Sequence, residues 1–258
     1  MELWDELKLE DNKAYSWKLA ELRLDILKDK NKLHYAVSTS DEEEQYPSWH
    51  GFQKTEYDPD LNWKRCIINE KDHLVRILPS MPTRPIVVRP ETPLIVLPGS
   101  SARFFVSIPV WYSFIVGKEQ IAWEIPSLPL SNTWFGDPLS GVFCYALRSS
   151  AKTEYTLDKL RKNIASCSIL VENNSADNFE FNRLCIHTEY LNIYQSRNTL
   201  WTNEIKVILE GENQRSSFEI SETAPKFEKN MKLLQTRREE PSKHLTKKMF
   251  SDFKFMKG

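Results

Sequence analysis

The run Pro79-Ser80-Met81-Pro82-Thr83-Arg84-Pro85-Ile86-Val87-Val88-Arg89-Pro90, continued by Pro93-Leu94-Ile95-Val96-Leu97-Pro98, decides the fold class. Proline removes a ladder donor and breaks helix interiors, whereas β-branched residues suit a pleated surface. Brief aliphatic runs closed by proline therefore read as short strands. Ten of the fourteen prolines fall between Pro79 and Pro138, interleaved with further runs such as Phe104-Phe105-Val106-Ser107-Ile108. Strands are expected at residues 85–89, 94–97, 103–108, 111–116, 121–125 and 142–148, a spacing of about ten residues that is the rhythm of a β-sandwich. Later strands are expected at 168–172, 183–194, 205–210 and 218–220, with a polar connection at 173–182. One helix is expected at 157–164, capped by Thr156, where Leu157, Leu160 and Ile164 share a face.

Upstream, Leu22-Arg23-Leu24-Asp25-Ile26 and Leu33-His34-Tyr35-Ala36-Val37 alternate around the polar turn Lys28-Asp29-Lys30-Asn31, the pattern of a β-hairpin with one wet face. An acidic, irregular loop is expected over 38–60, with strands resuming at 63–68 and 74–78. Downstream of Ala224, Phe227, Met231 and Leu234 recur at helical spacing, and Pro241 separates a second stretch with Leu245, Met249 and Phe253. The organisation expected is an N-terminal β subdomain (1–78), an immunoglobulin-like β-sandwich (79–224) and a short, basic, helical tail (225–258).

A formal charge of −1 gives no global pull toward nucleic acid or membrane, but residues 226–258 hold ten Lys or Arg against four Asp or Glu, a local +6. Only seven glycines occur in 258 residues, none placed to build a phosphate-cradling loop. Cys66, Cys144, Cys167 and Cys185 are widely spaced and set among apolar neighbours, so they read as reduced, buried, small hydrophobes. No signal-peptide pattern or spanning apolar run is evident, and a cytoplasmic location is expected. His34, His50, His73, His187 and His244 never recur at a spacing of three or four, so no metal or other cofactor is expected. Asn173-Asn174-Ser175 matches a glycosylation acceptor that would matter only in a secreted protein.

Two places invite a functional reading. In Ser131-Asn132-Thr133-Trp134-Phe135-Gly136-Asp137-Pro138, a loop between strands, Ser131, Thr133, Trp134 and Asp137 could form a polar-ligand pocket with Trp134 as a stacking platform. The structural reading of the same residues is a tight turn with Trp134 and Phe135 plugging the end of a sandwich. In the tail, Lys243, Lys247 and Lys248 alternate with Met249 and Phe253, a pattern that fits anionic lipid, a partner's groove, or the acidic body of the same chain. Basic residues are too sparse near Trp111, Tyr112, Phe114, Trp123 and Trp134 for a nucleic-acid surface.

Arg84-Pro85-Ile86-Val87-Val88-Arg89-Pro90, Ile108-Pro109-Val110, the 131–138 segment, Cys144-Tyr145, Leu170-Val171-Glu172-Asn173 and Arg183-Leu184-Cys185-Ile186 together resemble a mainly archaeal family catalogued as domain of unknown function 432. The resemblance extends to about Glu210 and implies a prokaryotic cytosolic protein; it transfers no catalytic residue. The expectation for function is a non-catalytic binding or scaffolding protein with a protein partner. The alternatives are a peripheral accessory of a membrane or membrane protein engaged through the tail, and an enzyme or polar-ligand binder at residues 131–137.

Overall fold

The computed structural model describes residues 3–19, 21–39, 49–69, 71–89, 94–147, 162–181, 183–196, 199–210, 217–241 and 254–256. Among the described residues there are strands, one 3-10 turn at Thr188–Tyr190, and no α-helix. In chain order the strands are β1 Leu7–Lys8, β2 Ala14–Leu19, β3 Leu22–Asp29, β4 Lys32–Thr39, β5 Trp49–Thr55, β6 Lys64–Ile67, β7 Leu74–Ser80, β8 Ile86–Val88, β9 Leu94–Val96, β10 Ser101–Pro109, β11 Trp111–Val116, β12 Gln120–Pro126, β13 Ser131–Phe135, β14 Val142–Leu147, β15 Ile164–Asn173, β16 Asn178–Phe181, β17 Leu184–Ile186, β18 Ile193–Gln195, β19 Leu200–Thr202, β20 Ile205–Leu209, β21 Ser217–Ile220, β22 Lys232–Gln235 and β23 Lys254–Met256. The chain forms two units, Met1–Pro79 with Trp111–Ser127, and Ser80–Val110 with Leu128–Gly258. Strands β11 and β12, expected in the second domain, thus belong to the first unit.

The first unit is a sandwich of two sheets, ordered β5-β2-β3-β4-β6 and β1-β7-β11-β12. Alternation turns Tyr15, Trp17 and Leu19 of β2 to one face, where they pair across the ladder with Ile26, Leu24 and Leu22 of β3. Aromatic rings join the sheets: Trp17 meets Tyr112 edge-on at 5.2 Å, and Trp123 stacks on Tyr35 at 3.8 Å and on Phe114 at 4.1 Å. Such pairs add about 0.5–1.5 kcal/mol each beyond the area they bury. The clustering of tryptophan and tyrosine at 111–123 is therefore core packing.

Lys28 lies on this inward face with a fully buried side chain, and its ammonium donates to Asp11 Oδ1 at 2.5 Å. That hydrogen bond holds the Asp11 carboxyl below the usual carboxylate range, against the opposing effect of burial. A carboxylate depressed in the folded state stabilises above its unfolded value, about 3.9, and loses that contribution as pH falls through the folded value. Urea midpoints followed from pH 5 to pH 2 are expected to decline, and Asp11→Asn is expected to remove part of that decline while lowering the midpoint at pH 7. An unchanged acid slope in the variant contradicts the assignment.

In the second unit β15 is central. It pairs antiparallel with β10 along its length, and parallel with β19 near its start and β20 near its end. Ala165, Cys167, Ile169, Val171 and Asn173 alternate into the buried face, in register with Ile108, Val106 and Phe104 of β10 and with Ile205, Val207 and Leu209 of β20. The opposite face carries Arg103, which donates to Ser168 Oγ at 2.6 Å and forms an ion pair with Glu204. Parallel neighbours, here and between β14 and β8, are a feature that an antiparallel immunoglobulin ladder does not include. Asn173 is fully buried, and both its amide hydrogens are donated, to Val96 O and Asp177 O; the folded chain therefore offers no glycan acceptor there.

Several expectations are corrected. The tail is not helical in its described part: Asn230 has φ +59°, a left-handed conformation that interrupts any helix through Phe227, Met231 and Leu234. Residues 232–235 instead form β22, paired antiparallel with β18. The loops expected at 38–60, 131–137 and 173–182 contain β5, β13 and β16, and the strand expected over 183–194 is split into β17, the 3-10 turn and β18. In the helix expected at 157–164, residues 157–161 lie outside the described residues, while Ile164 opens β15.

Candidate functional site

The four-stranded sheet β13-β14-β8-β17 gathers the features that packing alone does not use. Its inner strand β8, Ile86-Val87-Val88, is buried on both faces and pairs parallel with β14 and antiparallel with β17. Strand β13 is an edge, joined to β14 through the turn at 136–141. Asp137 builds that turn: its carboxylate accepts the Leu139 N–H at 2.8 Å, and its carbonyl accepts the Gly141 N–H at 2.7 Å and the Trp134 indole N–H at 3.1 Å. Gly141 is required by close approach, since a Cβ there would lie 2.4 Å from Trp134 Nε1 and 2.5 Å from Phe135 O.

Register sorts the candidate residues between the two faces. Ser131, Thr133 and Phe135 share one face with Ala146, Cys144 and Val142, their partners across the ladder. Asn132 and Trp134 share the other with Tyr145 and Phe143. Ser131, Thr133, Trp134 and Asp137 therefore do not converge: two lie on one face, one on the other, and Asp137 spends its polar groups inside the turn. Thr133 lines a cavity of about 180 Å³ with Val87, Arg89, Ala146 and Leu147, smaller than the roughly 300 Å³ where small-molecule pockets begin.

The face of Trp134 is partly open. Trp134 and Phe143, directly opposite one another, are each 45% exposed, and Leu139 in the turn is 97% exposed. The Arg84 guanidinium lies 4.5 Å from the Phe143 ring centroid and 5.4 Å from that of Tyr145, and donates to Asn132 Oδ1 at 3.1 Å. The Tyr145 hydroxyl is 3.3 Å from Thr83 Oγ1. A cation is thus held over two rings beside two exposed apolar groups.

The opposite face carries sulfur. Cys144 Sγ and Cys185 Sγ are 3.7 Å apart, both buried, packed with Val87 and Phe135. Cys144 directs its S–H to Val142 O at 3.3 Å, which leaves the Cys185 S–H to point at Cys144. That contact pulls the Cys144 thiol below its ordinary range, while the same contact, burial and the negative charge of Glu189 push Cys185 up. His187, two residues beyond Cys185, sets Nδ1 2.8 Å from Glu189 Oε1, and their other polar atoms, Nε2 and Oε2, are buried without a partner among the described residues. Sequence spacing missed this pair because the 3-10 turn at 188–190 brings a residue two positions away onto the imidazole. Arg84, Phe143, Cys144 and Cys185 had no linking signal either, as β8 separates β14 from β17. Burial pushes Cys167, which stands apart from this cluster, up to about 12.

The described part of the tail belongs to the second unit's packing. Phe227 stacks on Trp201 at 5.3 Å, and the Glu228 carboxylate accepts the Trp201 indole N–H at 3.0 Å and the Thr199 hydroxyl at 2.9 Å. The Arg238 guanidinium donates to Met81 O at 2.7 Å and Ser80 Oγ at 3.0 Å. Lys243, Lys247, Lys248, Met249 and Phe253 lie outside the described residues. Among the described residues no group of three or more His, Cys, Asp or Glu is placed to hold a metal ion, and no helix is long and apolar enough to cross a membrane.

Fold and site together define a mainly β protein of two units whose distinctive surface is an aromatic and guanidinium patch on a hairpin. Residues 3–257 match the family described as protein of unknown function, DUF432, and the chain belongs to that family. The match takes in the N-terminal unit and the tail as well as the segment through Glu210. No curated protein and no solved structure matches the chain.

Proposed function

We propose that this is a non-catalytic binding protein of the cytoplasm that docks a protein partner on the open face of β13–β14. The observation that carries the reading is the juxtaposition of Trp134 and Phe143, cross-strand neighbours each left 45% exposed, with the Arg84 guanidinium set over the Phe143 ring. Tryptophan, arginine and other aromatics are the residues that dominate binding energy at interfaces, and ordering Arg84 beforehand lowers the entropy lost on docking. The partner chemistry that fits is a carboxylate flanked by apolar side chains. The four free cysteines suit a reducing compartment.

A photo-crosslinking side chain at Leu139, in the full chain expressed in its own cells, tests this. One dominant protein adduct is expected from position 139 and none from a control at Ile67, which is exposed in the other unit. Phe143→Ala and Arg84→Glu are each expected to weaken capture tenfold or more, the effect of losing about 1.4 kcal/mol or above, with unchanged thermal unfolding. Equal adducts at both positions, or capture indifferent to both substitutions, would refute the docking surface.

A further inference from the structure

The geometry points to Cys144 and Cys185 as a redox pair, two thiols that hydrogen peroxide converts to one intrachain disulfide. Their sulfurs, 3.7 Å apart, stand in direct contact. A disulfide needs about 2.05 Å between sulfurs and Cα atoms within about 7 Å. With β8 lying between β14 and β17, closure therefore asks β17, the end strand that carries Cys185, to swing off the ladder toward Cys144. Both side chains are confined by Val87 and Phe135, and neither sulfur has another thiol to choose. Cys66 lies in the other unit, and Cys167 is on β15, in a different sheet.

The contact also assigns the order of events. The Cys185 S–H pointing at Cys144 favours the Cys144 thiolate as the attacking group. It attacks one peroxide oxygen, the O–O bond breaks, and the departing hydroxide takes up the proton Cys144 had released, leaving a sulfenic acid and one water. The Cys185 sulfur then attacks the Cys144 sulfur; the S–O bond breaks, and the hydroxyl leaves with the Cys185 proton as a second water. Two thiols and one peroxide thus give one disulfide and two waters, the two electrons passing from sulfur to oxygen. Because the sulfurs are buried, the peroxide must enter through local opening, and β17, three residues long at the end of the sheet, supplies it by the same movement that brings Cys185 to Cys144. The bond would tie β14 to β17 across β8, behind the proposed docking face, but the redox chemistry stands whether or not that face binds a partner.

The test is a thiol map of the native wild-type chain. After exposure to hydrogen peroxide at neutral pH, the protein is unfolded in an alkylating reagent, digested and weighed. The expected result is the joint loss of two alkylatable thiols, a mass lower by about 2 Da, and a peptide joining Cys144 to Cys185 that dithiothreitol releases. Cys167 is expected to stay fully alkylatable. In Cys185→Ser the joined peptide is absent, and Cys144 is expected to be trapped as a sulfenic acid by dimedone. The inference is overturned if Cys144 and Cys185 both remain alkylatable under peroxide that oxidises the half-buried Cys66, which would make the pair core filler alone. A joined peptide from any other cysteine pair overturns it equally, and neither readout needs a variant that folds.

Discussion

Trp201→Ala is expected to lower the stability of the second unit by about 4 kcal/mol, the cost of deleting a large, fully buried aromatic side chain. Trp201 is 0% exposed, contacts Phe105 and Phe227, and donates its indole N–H to Glu228. The substitution thus removes core volume and the anchor of residues 227–228 together. Urea unfolding gives the size of the loss. A double-mutant cycle of Trp201→Phe with Glu228→Ala gives the share owed to the hydrogen bond, expected to be about 1.5–3 kcal/mol because the acceptor is charged. A loss below about 1 kcal/mol for Trp201→Ala would show that the first part of the tail is not seated on this ring.

Asn173→Ala is expected to cost about 3 kcal/mol or more. The fully buried amide donates to Val96 O at 2.8 Å and Asp177 O at 2.9 Å, and its oxygen accepts the Ser175 N–H at 3.1 Å and the Ser175 hydroxyl at 2.6 Å. Alanine leaves Val96 O and the Ser175 N–H without that bond in a region water reaches poorly, where each orphaned group costs about 1–3 kcal/mol, while the Ser175 hydroxyl keeps Asp177 O as an acceptor at 3.1 Å. Asn173→Asp is expected to be no better, because a carboxylate would face two carbonyl oxygens. Hydrogen exchange at residues 96 and 175–177 should quicken in step with the lost stability; a variant as stable as the parent removes the amide from this role.

These two positions show how differently the sequence exposes its parts. Ile86-Val87-Val88 between prolines was legible as a strand because its neighbours forbid a helix and its side chains fit burial on both faces. The hairpin β3–β4 was legible from alternation, since one of its faces is wet. Residues 227–234 were not, because apolar spacing at three and four residues mimics a helix. Their conformation is set by Asn230, by the stack on Trp201 and by pairing with β18, none of which spacing reports. Residues 131–135 read as loop for a different reason: Ser131 and Asn132 are poor strand formers and Gly136-Asp137-Pro138 signals a turn, whereas β14 supplies the ladder that Thr133, Trp134 and Phe135 suit.

The candidate site shows the same division. Trp134 and Asp137 stood out as residue types, but cross-strand register puts Trp134 on the face opposite Ser131 and Thr133. Asp137 is consumed by its own turn. Cys144, Cys185, His187 and Glu189 looked like separate, unremarkable positions, and the path of β14, β8 and β17 through one sheet made them a cluster.

By itself the sequence determined that this protein is built of short strands, because proline placement and β-branched runs act locally on backbone torsion and hydrogen bonding. Only the tertiary structure decided which strands become neighbours, hence which rings stay open beside Arg84 and which two sulfurs touch. Those depend on pairings between segments tens of residues apart, and no local preference encodes a partner at that distance.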